Sequence, residues 1–451
     1  MNPAIDINDN SGVPQDLSTS LPEVNSSVEI PKLASRLKTF LAFAGPGYLV
    51  SVGYMDPGNW ATDIAGGARY GYALVWVILL SNLCAMLLQT LCARLGIVTG
   101  KDLAQACRDY FPKPVAIVLW FLCEIAIIAC ELAEVIGSAV ALKLLFGIPL
   151  VWGVCITALD VIILLTAMNF GFRKLEAIII TLVGTIAVCF AGQIFFAKPD
   201  WGGVAQGAFV PTMPNREAFA LSLAILGATV MPHNLYLHSA LVQTRKHGDS
   251  PEEKRTAIKY NTLDTIIALS AAFFVNAAIL IVAAAVFHAN GHFEVSKLED
   301  AHQLLSPVLG APIASTLFAV ALLASGQSST ITGTLAGQIV MEGFLKIRVK
   351  PWVRRIFSRL LAIIPALLMI RATGAKEETM GLLLLSQLVL SMQLPFAIFP
   401  LIMFTSSKEK MGEFVNNWPT KIIGFFVASV IAGLNVYLLF NTLREMLSGK
   451  S

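Results

Sequence analysis

The sequence predicts an all-α integral membrane protein with eleven transmembrane helices, because of its composition and its repeated apolar runs. Of the 451 residues, 56% are hydrophobic and 14% are charged, and the mean hydropathy is +0.71. Soluble domains carry about 25% charged residues, so a single soluble core cannot bury this much apolar sequence. Apolar runs of about 20 residues are typical of membrane-spanning helices. Such runs lie at roughly 40–62, 72–93, 115–145, 150–168, 175–196, 217–243, 261–288, 311–340, 356–371, 380–404 and 421–443.

The distribution of basic residues predicts the orientation of these spans. Lys and Arg are enriched in cytoplasmic loops, and placing the N-terminus inside puts 23 of the 32 basic residues on the cytoplasmic side. The C-terminus then lies outside, because the number of spans is odd. Residues 1–38 are largely polar and predict a disordered cytoplasmic tail. A formal net charge of +3 is too small to indicate a nucleic-acid partner.

Two spans are interrupted by proline beside polar residues, at Asp56–Asn59 in the first span and at Met231–His233 in the sixth. Proline removes a backbone donor and disturbs the preceding helical turn. The two breaks are five spans apart, so they occupy matching positions in two blocks of opposite orientation. Broken helices at matching positions indicate a transporter built from inverted repeats. The predicted repeats are 39–212 (spans 1–5) and 213–406 (spans 6–10), with 407–451 holding span 11 and the C-terminus.

The residues at the breaks predict a cation site. An unwound helix frees carbonyl oxygens that need partners inside a membrane, and Ala228 precedes the second break. Asp56 adds an anionic oxygen, Asn59 a neutral oxygen and Met231 a thioether sulfur. Sulfur suits transition metals, whereas Mg²⁺ and Ca²⁺ prefer oxygen. A proline kink or a methionine in a span is more often structural, but the coincidence of both breaks favours the cation site.

The third span carries three carboxylates on one helix face. At about 100° per residue, Glu131 lies about 20° and Glu134 about 80° around the helix from Glu124. Such a stripe needs protons or cationic partners, and a chain of ionisable groups through a bundle is a route for protons. A structural salt-bridge network is the alternative. The candidate cationic partners are Arg354, Arg355 and Arg359 at the start of span 9. His233, beside the second break, is of a residue type that titrates near neutral pH and is a candidate member of the proton route.

Other polar residues in the spans are less informative. Gln387 and Gln393 in span 10 could line a polar cavity or bond to a neighbouring helix. His238 is about 140° around the helix from His233, so the two do not form a simple metal-binding face. The seven cysteines form no C-x-x-C pair and are interpreted as small buried hydrophobic residues. They are Cys84, Cys92, Cys107, Cys123, Cys130, Cys155 and Cys189.

Three motifs together resemble the Nramp family of divalent-metal transporters. They are Asp56–Asn59, Met231–His233 and the segment Gly326–Gly343, which is similar to the family's transport signature near the end of span 8. The resemblance extends over about residues 40–443. It implies a leucine-transporter-like fold and proton-coupled import of Mn²⁺ or Fe²⁺, with Co²⁺, Zn²⁺ and Cd²⁺ as further substrates. Met231 argues against the family's magnesium-transporting branch, which lacks the methionine.

The resemblance also implies roles for individual residues. The implied metal ligands are Asp56, Asn59, Met231, the carbonyls of Ala228 and Gly53, and in some states Gln387. The implied proton route runs from Asp56 and His233 through Glu131 and Glu134 to arginines of span 9.

The expected protein is therefore a secondary transporter and not an enzyme. Its expected partners are the metal ion, the proton and the lipid bilayer, with no cofactor and no obligate protein partner. One alternative is an amino-acid transporter of the same fold, although Asp56 would repel a substrate carboxylate. A metal channel or sensor is another, although a sensor should carry a sizeable soluble effector domain. The single glycosylation triplet, Asn25–Ser27, falls in the predicted tail, which favours a bacterial inner membrane.

Overall fold

The computed structural model describes residues 20, 22, 24–30, 35–159, 172–295, 297–372 and 379–447. Within these ranges the chain is a bundle of α-helices with one pair of two-residue strands, β1 (Val28–Glu29) and β2 (Arg245–Lys246). The helices are α1 (Arg36–Phe43), α2 (Pro46–Gly53), α3 (Pro57–Tyr70), α4 (Val75–Thr99), α5 (Leu103–Tyr110), α6 (Lys113–Phe146), α7 (Leu150–Ile156), α8 (Phe172–Ala197), α9 (Trp201–Phe209), α10 (Arg216–Thr229), α11 (Pro232–Leu241), α12 (Pro251–Val286), α13 (Leu298–Leu309), α14 (Ile313–Leu345), α15 (Pro351–Ala372), α16 (Thr379–Thr405), α17 (Lys408–Met411) and α18 (Trp418–Leu447).

The helices match the predicted spans closely, and the all-α class is confirmed. Eight described helical segments are long and apolar enough to cross a membrane, each at a predicted span. The other three predicted spans coincide with the broken pair α2–α3 and with two shorter apolar helices, Leu150–Leu159 and Ile356–Leu368. The predicted span at 150–168 continues into residues 160–171, which lie outside the described residues. The count of eleven spans stays a prediction.

Both predicted helix breaks are present. In the first span α2 ends at Gly53, and α3 begins at Pro57 with Asp56 as its N-cap. In the sixth span α10 ends at Thr229, and α11 begins at Pro232 after Met231. Proline suits the first position of a helix, where its missing N–H has no intrahelical partner to lose. Each span is therefore two short helices joined by a short non-helical connection.

The broken helices lie at the centre of the bundle. Every residue of α3 from Pro57 to Ala68 is buried, and so is every residue of α11. Helix α12 packs along α3 and α4, while α6 packs against α14 and α16. Close packing of α3 on α12 requires Gly67, because a Cβ there would collide with the backbone oxygen of Leu280. By contrast α18 lies at the periphery, with exposed apolar side chains that suit contact with lipid.

The start of α2 is held in place by a buried polar network. Arg245 forms a 2.8 Å ion pair with Glu176 of α8 and donates to the carbonyl of Ala44 at 2.6 Å. Asp264 of α12 accepts a 2.7 Å hydrogen bond from the backbone N–H of Gly47. These contacts tie α2 to three other parts of the bundle, so they help to position Gly53 at its far end.

The strand pair joins the N-terminal region to the segment after span 6. Strand β1 pairs in parallel with β2, so that Val28 faces Arg245 and Glu29 faces Lys246. Glu29 and Lys246 also form a 2.7 Å ion pair, although both side chains are exposed. The strand lies within the predicted tail, and its pairing attaches that part of the tail to the helical bundle.

Candidate metal-ion site

Asp56 is the N-cap residue of α3 and is completely buried. Its Oδ1 accepts hydrogen bonds from the backbone N–H of Asn59 at 2.8 Å and from Asn59 Nδ2 at 2.7 Å. This is the usual geometry of an aspartate N-cap, which satisfies a free N–H of the first helical turn. The capping role leaves Oδ2 for another partner within the bundle.

Three oxygens converge on the side-chain nitrogen of Asn59. They are Asp56 Oδ1 at 2.7 Å, the carbonyl of Ala228 at 3.0 Å and the carbonyl of Gly53 at 3.3 Å. An amide nitrogen carries two hydrogens, so three acceptors exceed its capacity. Turning the amide over would bring a fourth oxygen among these three. Four oxygens around one point repel one another without a cation, so the arrangement suits a bound cation.

Both carbonyls come from the C-terminal ends of half-helices. Gly53 is the last residue of α2, and Ala228 precedes the last residue of α10. The C-terminus of a helix carries a partial negative charge, which favours a cation. The ends of the two broken spans therefore reinforce the charge of Asp56 at the same place.

Met231 brings a sulfur atom to the same place. It is the N-cap of α11 and is completely buried. A Cβ built on Gly53 would lie 3.3 Å from Met231 Sδ, so the thioether packs against the backbone of Gly53. Met231 also packs with Cys130 of α6 and Leu390 of α16. The structure thus brings together five of the predicted metal ligands: Gly53, Asp56, Asn59, Ala228 and Met231.

Gln387, the sixth predicted ligand, lies beside this group on α16. Its amide packs so closely on Gly58 that a Cβ at that glycine would overlap Gln387 Nε2. Nε2 donates a 2.8 Å hydrogen bond to Ser386 Oγ, while Oε1 finds no partner among the described residues. Gln387 therefore reaches α3 next to Asn59, although it does not bond to Asp56 or Asn59.

Two further polar residues secure the unwound part of the first span. Asn276 of α12 donates to the carbonyl of Tyr54 at 2.6 Å and to Asn59 Oδ1 at 3.3 Å. Ser325 of α14 donates to the carbonyl of Met55 at 2.5 Å. Backbone groups freed by the break thus find side-chain partners, as burial requires.

The first glutamate of the third span pairs with an arginine of α15. Arg354 Nη2 lies 3.1 Å from Glu124 Oε1 and 3.0 Å from Oε2. Arg354 is buried and Glu124 largely so. The predicted partnership between this part of span 3 and span 9 therefore exists for Arg354, whereas the side chain of Arg355 lies outside the described residues.

The other two glutamates are buried deeper along α6. Ser358 Oγ donates to Glu131 Oε1 at 2.8 Å. Glu134 accepts from Thr330 Oγ1 of α14 at 3.1 Å, and its Oε2 lies 3.6 Å from Arg359 Nη1. Each glutamate of the stripe therefore meets a polar or cationic group from a neighbouring helix.

Cys130 lies between the candidate metal ligands and the glutamate stripe of α6. Its Sγ is 4.0 Å from Asp56 Oδ2 and 3.8 Å from Glu134 Oε1. The interpretation of all cysteines as small buried hydrophobic residues is too simple at this position, and Cys155 is exposed. Cys130 therefore contacts both Asp56 and the nearest glutamate of the stripe, Glu134.

The candidate site carries one formal negative charge. No three His, Cys, Asp or Glu side chains in the described ranges are grouped to hold a metal ion. The donors are instead a carboxylate, an amide, a thioether and two carbonyls. Oxygen donors with a single sulfur suit a transition-metal ion better than Ca²⁺ or Mg²⁺.

The sequence can be assigned to a family. A family model described as natural resistance-associated macrophage protein-like, or Nramp, matches residues 47–441. The chain belongs to the Nramp family. The resemblance expected from the three motifs is thereby confirmed.

Individual Nramp relatives agree with this assignment. A Nostoc protein named divalent metal cation transporter MntH is 58% identical over 433 residues, which cover 95% of this chain and 98% of the relative. The crystal structure of an Eremococcus coleocola manganese transporter, in complex with an aromatic bis-isothiourea substituted compound, has a TM-score of 0.89 and 41% identity. The match covers 96% of this chain and 93% of that one. These relatives are transporters and not enzymes, as the sequence predicted for this chain.

A more distant structure supports the fold class. A nucleobase-cation-symport-1 family transporter in a closed conformation has a TM-score of 0.57 at 16% identity, over 92% of each chain. At this identity the likeness shows the fold alone. Together with the Eremococcus structure, it confirms the leucine-transporter-like fold expected for an Nramp chain.

His233 and His238 of this Nramp chain occupy two different environments. His233 is buried in the first turn of α11, and its Nδ1 finds no hydrogen-bond partner among the described residues. Its connection to the glutamates stays a prediction. His238 Nδ1 lies 3.0 Å from Gln89 Oε1, and Gln89 Nε2 donates to the Tyr54 hydroxyl at 3.0 Å. His238 therefore belongs to a polar chain that reaches the unwound segment through Tyr54.

Sequence reasoning missed several residues around the site: Asn234, Asn276, Ser325 and Cys130. Each is a small or medium polar residue inside an apolar run. Its position in the sequence does not indicate which part of the bundle its side chain faces. Asn234 offers the best signal, because it follows the Met231–His233 motif directly.

Proposed function

We propose that this protein imports Mn²⁺ or Fe²⁺ in symport with protons by alternating access. The observation that carries the proposal is the convergence of Asp56 Oδ1 and the carbonyls of Gly53 and Ala228 on the amide of Asn59. Met231 lies against the same backbone. This donor set can bind a divalent transition-metal ion and release it, because only one donor is charged.

The metal preference follows from the mixed donors. A thioether sulfur is a poor ligand for Ca²⁺ and Mg²⁺, whereas transition-metal ions accept it. Mn²⁺ and Fe²⁺ head the proposed substrates, with Co²⁺, Zn²⁺ and Cd²⁺ as further ones. The names of the Nostoc and Eremococcus relatives, which refer to divalent metal cations and to manganese, support this range.

The proposed proton route starts at Asp56 and leaves the metal site along α6. Its members are Asp56, His233, Glu134, Glu131 and Glu124, with Arg359, Arg354 and Arg355 as cationic partners. Support comes from the short steps between Asp56, Cys130 and Glu134 and from the arginine contacts of Glu134 and Glu124. Arginine stays charged, so it can hold a neighbouring carboxylate ionised between proton transfers.

Transport would follow from movement of the two repeats, 39–212 and 213–406, around a fixed site at the breaks. We place the N-terminus in the cytoplasm and the C-terminus outside, in a bacterial inner membrane. A membrane potential then favours inward movement of cations by about 2.3 kcal/mol per charge per 100 mV. No cofactor, nucleic acid or obligate protein partner is required.

The proposal is tested by metal uptake into proteoliposomes that contain a pH-sensitive dye. We expect Mn²⁺, Fe²⁺, Co²⁺, Zn²⁺ and Cd²⁺ to enter and to acidify the interior, whereas Ca²⁺ and Mg²⁺ should enter poorly. Empty liposomes are the control for leakage of metal. Metal uptake without acidification would contradict proton coupling, and uptake of Ca²⁺ at the rate of Mn²⁺ would contradict the proposed selectivity.

A further inference from the structure

Asn234 has a fully buried side-chain amide without a protein partner. It lies in the first turn of α11, three residues after Met231. Neither Nδ2 nor Oδ1 finds a hydrogen-bond partner among the described residues. Most buried polar side-chain atoms in folded proteins are satisfied, and an exception calls for an explanation. A ligand that uses the amide during function is one such explanation.

The amide is in contact with the metal donors. A Cβ built on Gly53 would overlap Asn234 Nδ2, so the amide lies directly on the backbone of Gly53. The same built atom lies 3.3 Å from Met231 Sδ. The amide of Asn234 and the sulfur of Met231 therefore both border Gly53, whose carbonyl is one of the converging oxygens.

The other two asparagines of this region are bonded. Asn59 Nδ2 lies within hydrogen-bond distance of three oxygens, and Asn276 donates to the carbonyl of Tyr54 and to Asn59 Oδ1. Their amides are used to hold the unwound segment in place. The side chain of Asn234 makes no hydrogen bond among the described residues. Its backbone N–H donates to the carbonyl of Met231 at 3.2 Å.

We propose that Asn234 is an additional donor for the transported divalent ion, on the inner side of the site. The inference rests on the proposed function and on its orientation, in which α2 and α11 are the inner halves of the broken spans. Asn234 and Gly53 are in contact at the ends of these two halves that lie nearest the candidate donors. An ion moving inward from Asp56 passes the carbonyl of Gly53 and can be received by Oδ1 of Asn234.

The chemistry of an amide suits this role. Its carbonyl oxygen is a neutral donor for a divalent cation, as in Asn ligands of other metal sites. A neutral donor stabilises an ion in transit without adding the charge that would trap it. Rotation about the side-chain bonds would turn Oδ1 towards the ion, because no protein hydrogen bond fixes the amide within the described residues.

Three variants test the role of Asn234. Asn234→Leu removes the donor at similar volume, and Asn234→Asp adds a charge to it. Gln193→Leu is the matched control, since Gln193 of α8 is also fully buried with neither amide atom bonded among the described residues. Mn²⁺ binding is measured by calorimetry on purified protein, and the maximal rate of Mn²⁺ uptake is measured in proteoliposomes.

For Asn234→Leu we expect the dissociation constant to stay within about threefold of the wild type, while the maximal uptake rate falls about tenfold, the scale of one polar interaction. For Asn234→Asp we expect tighter Mn²⁺ binding with a lower maximal rate, because the ion is released slowly. Gln193→Leu should keep both values. A role limited to packing would not increase affinity in Asn234→Asp.

Two results would overturn the inference. One is a wild-type uptake rate in Asn234→Leu, and the other is an equal loss of rate in Asn234→Leu and Gln193→Leu. Failure of the wild-type protein to take up any of the metals would instead overturn the proposed function. Tighter Mn²⁺ binding by Asn234→Asp would still support Asn234 as a donor in that case.

Discussion

Replacing Asp56 by alanine is expected to abolish both metal uptake and metal-linked proton influx in proteoliposomes. Asp56 carries the only formal charge among the proposed donors. Two unit charges 4 Å apart attract by about 4 kcal/mol at an effective dielectric constant of about 20, and a bound divalent ion is closer and doubly charged. Loss of the carboxylate should therefore weaken Mn²⁺ binding by more than about 100-fold, or about 2.7 kcal/mol. The measurement is initial Mn²⁺ uptake with a simultaneous internal pH signal.

A second buried carboxylate on α3 provides the control. Asp63 is also inaccessible to solvent, but it is not among the oxygens that converge on Asn59. Asp63→Asn should therefore retain measurable Mn²⁺ binding, although it too removes a charge from the span. If Asp56→Ala retained Mn²⁺ uptake, Asp56 could not be the central ligand of the site.

Replacing Met231 by alanine is expected to change selectivity more than uptake itself. The carboxylate, amide and carbonyl oxygens remain, so part of the Mn²⁺ uptake should persist. Without the sulfur, the site offers only oxygen donors, which Ca²⁺ and Mg²⁺ prefer. We expect both ions to compete with Mn²⁺ at concentrations about tenfold lower than in the wild type, a change of about 1.4 kcal/mol. Competition curves against Mn²⁺ uptake measure this directly.

Two additional variants separate the loss of sulfur from the loss of volume. Met231→Leu keeps most of the side-chain volume without the thioether and should reproduce the change in selectivity. Met380→Ala creates a cavity at another buried methionine, on α16, and should leave selectivity unchanged. Unchanged Ca²⁺ and Mg²⁺ competition in both Met231 variants would refute the argument from the soft donor.

Much of the candidate donor set could be proposed from the sequence because proline and glycine act locally. Pro57 and Pro232 determine where the helices restart. The candidate donors beside each break are close to that proline in the sequence. The pairing of span 3 with span 9 could also be anticipated, since buried glutamates need cations and span 9 begins with Arg354, Arg355 and Arg359. In the structure Arg354 contacts Glu124, and Arg359 lies 3.6 Å from Glu134.

The residues that sequence reasoning missed depend on contacts between distant parts of the chain. Asn276 bonds to Tyr54 across 222 residues, and Ser325 bonds to Met55 across 270. Nothing near either residue in the sequence indicates which helix it faces. Cys130 was misread for a related reason, because a buried thiol has the same pattern whether its neighbours are apolar or ionisable.

In the proposed site a transition-metal ion binds between the two breaks, with one sulfur among oxygen donors. X-ray absorption spectroscopy at the manganese edge, on purified protein loaded with Mn²⁺, detects such a sulfur. We expect one sulfur scatterer in addition to oxygen in the wild type, and oxygen alone in Met231→Leu. A wild-type spectrum without sulfur, or one identical to that of Met231→Leu, would rule out the thioether as a ligand.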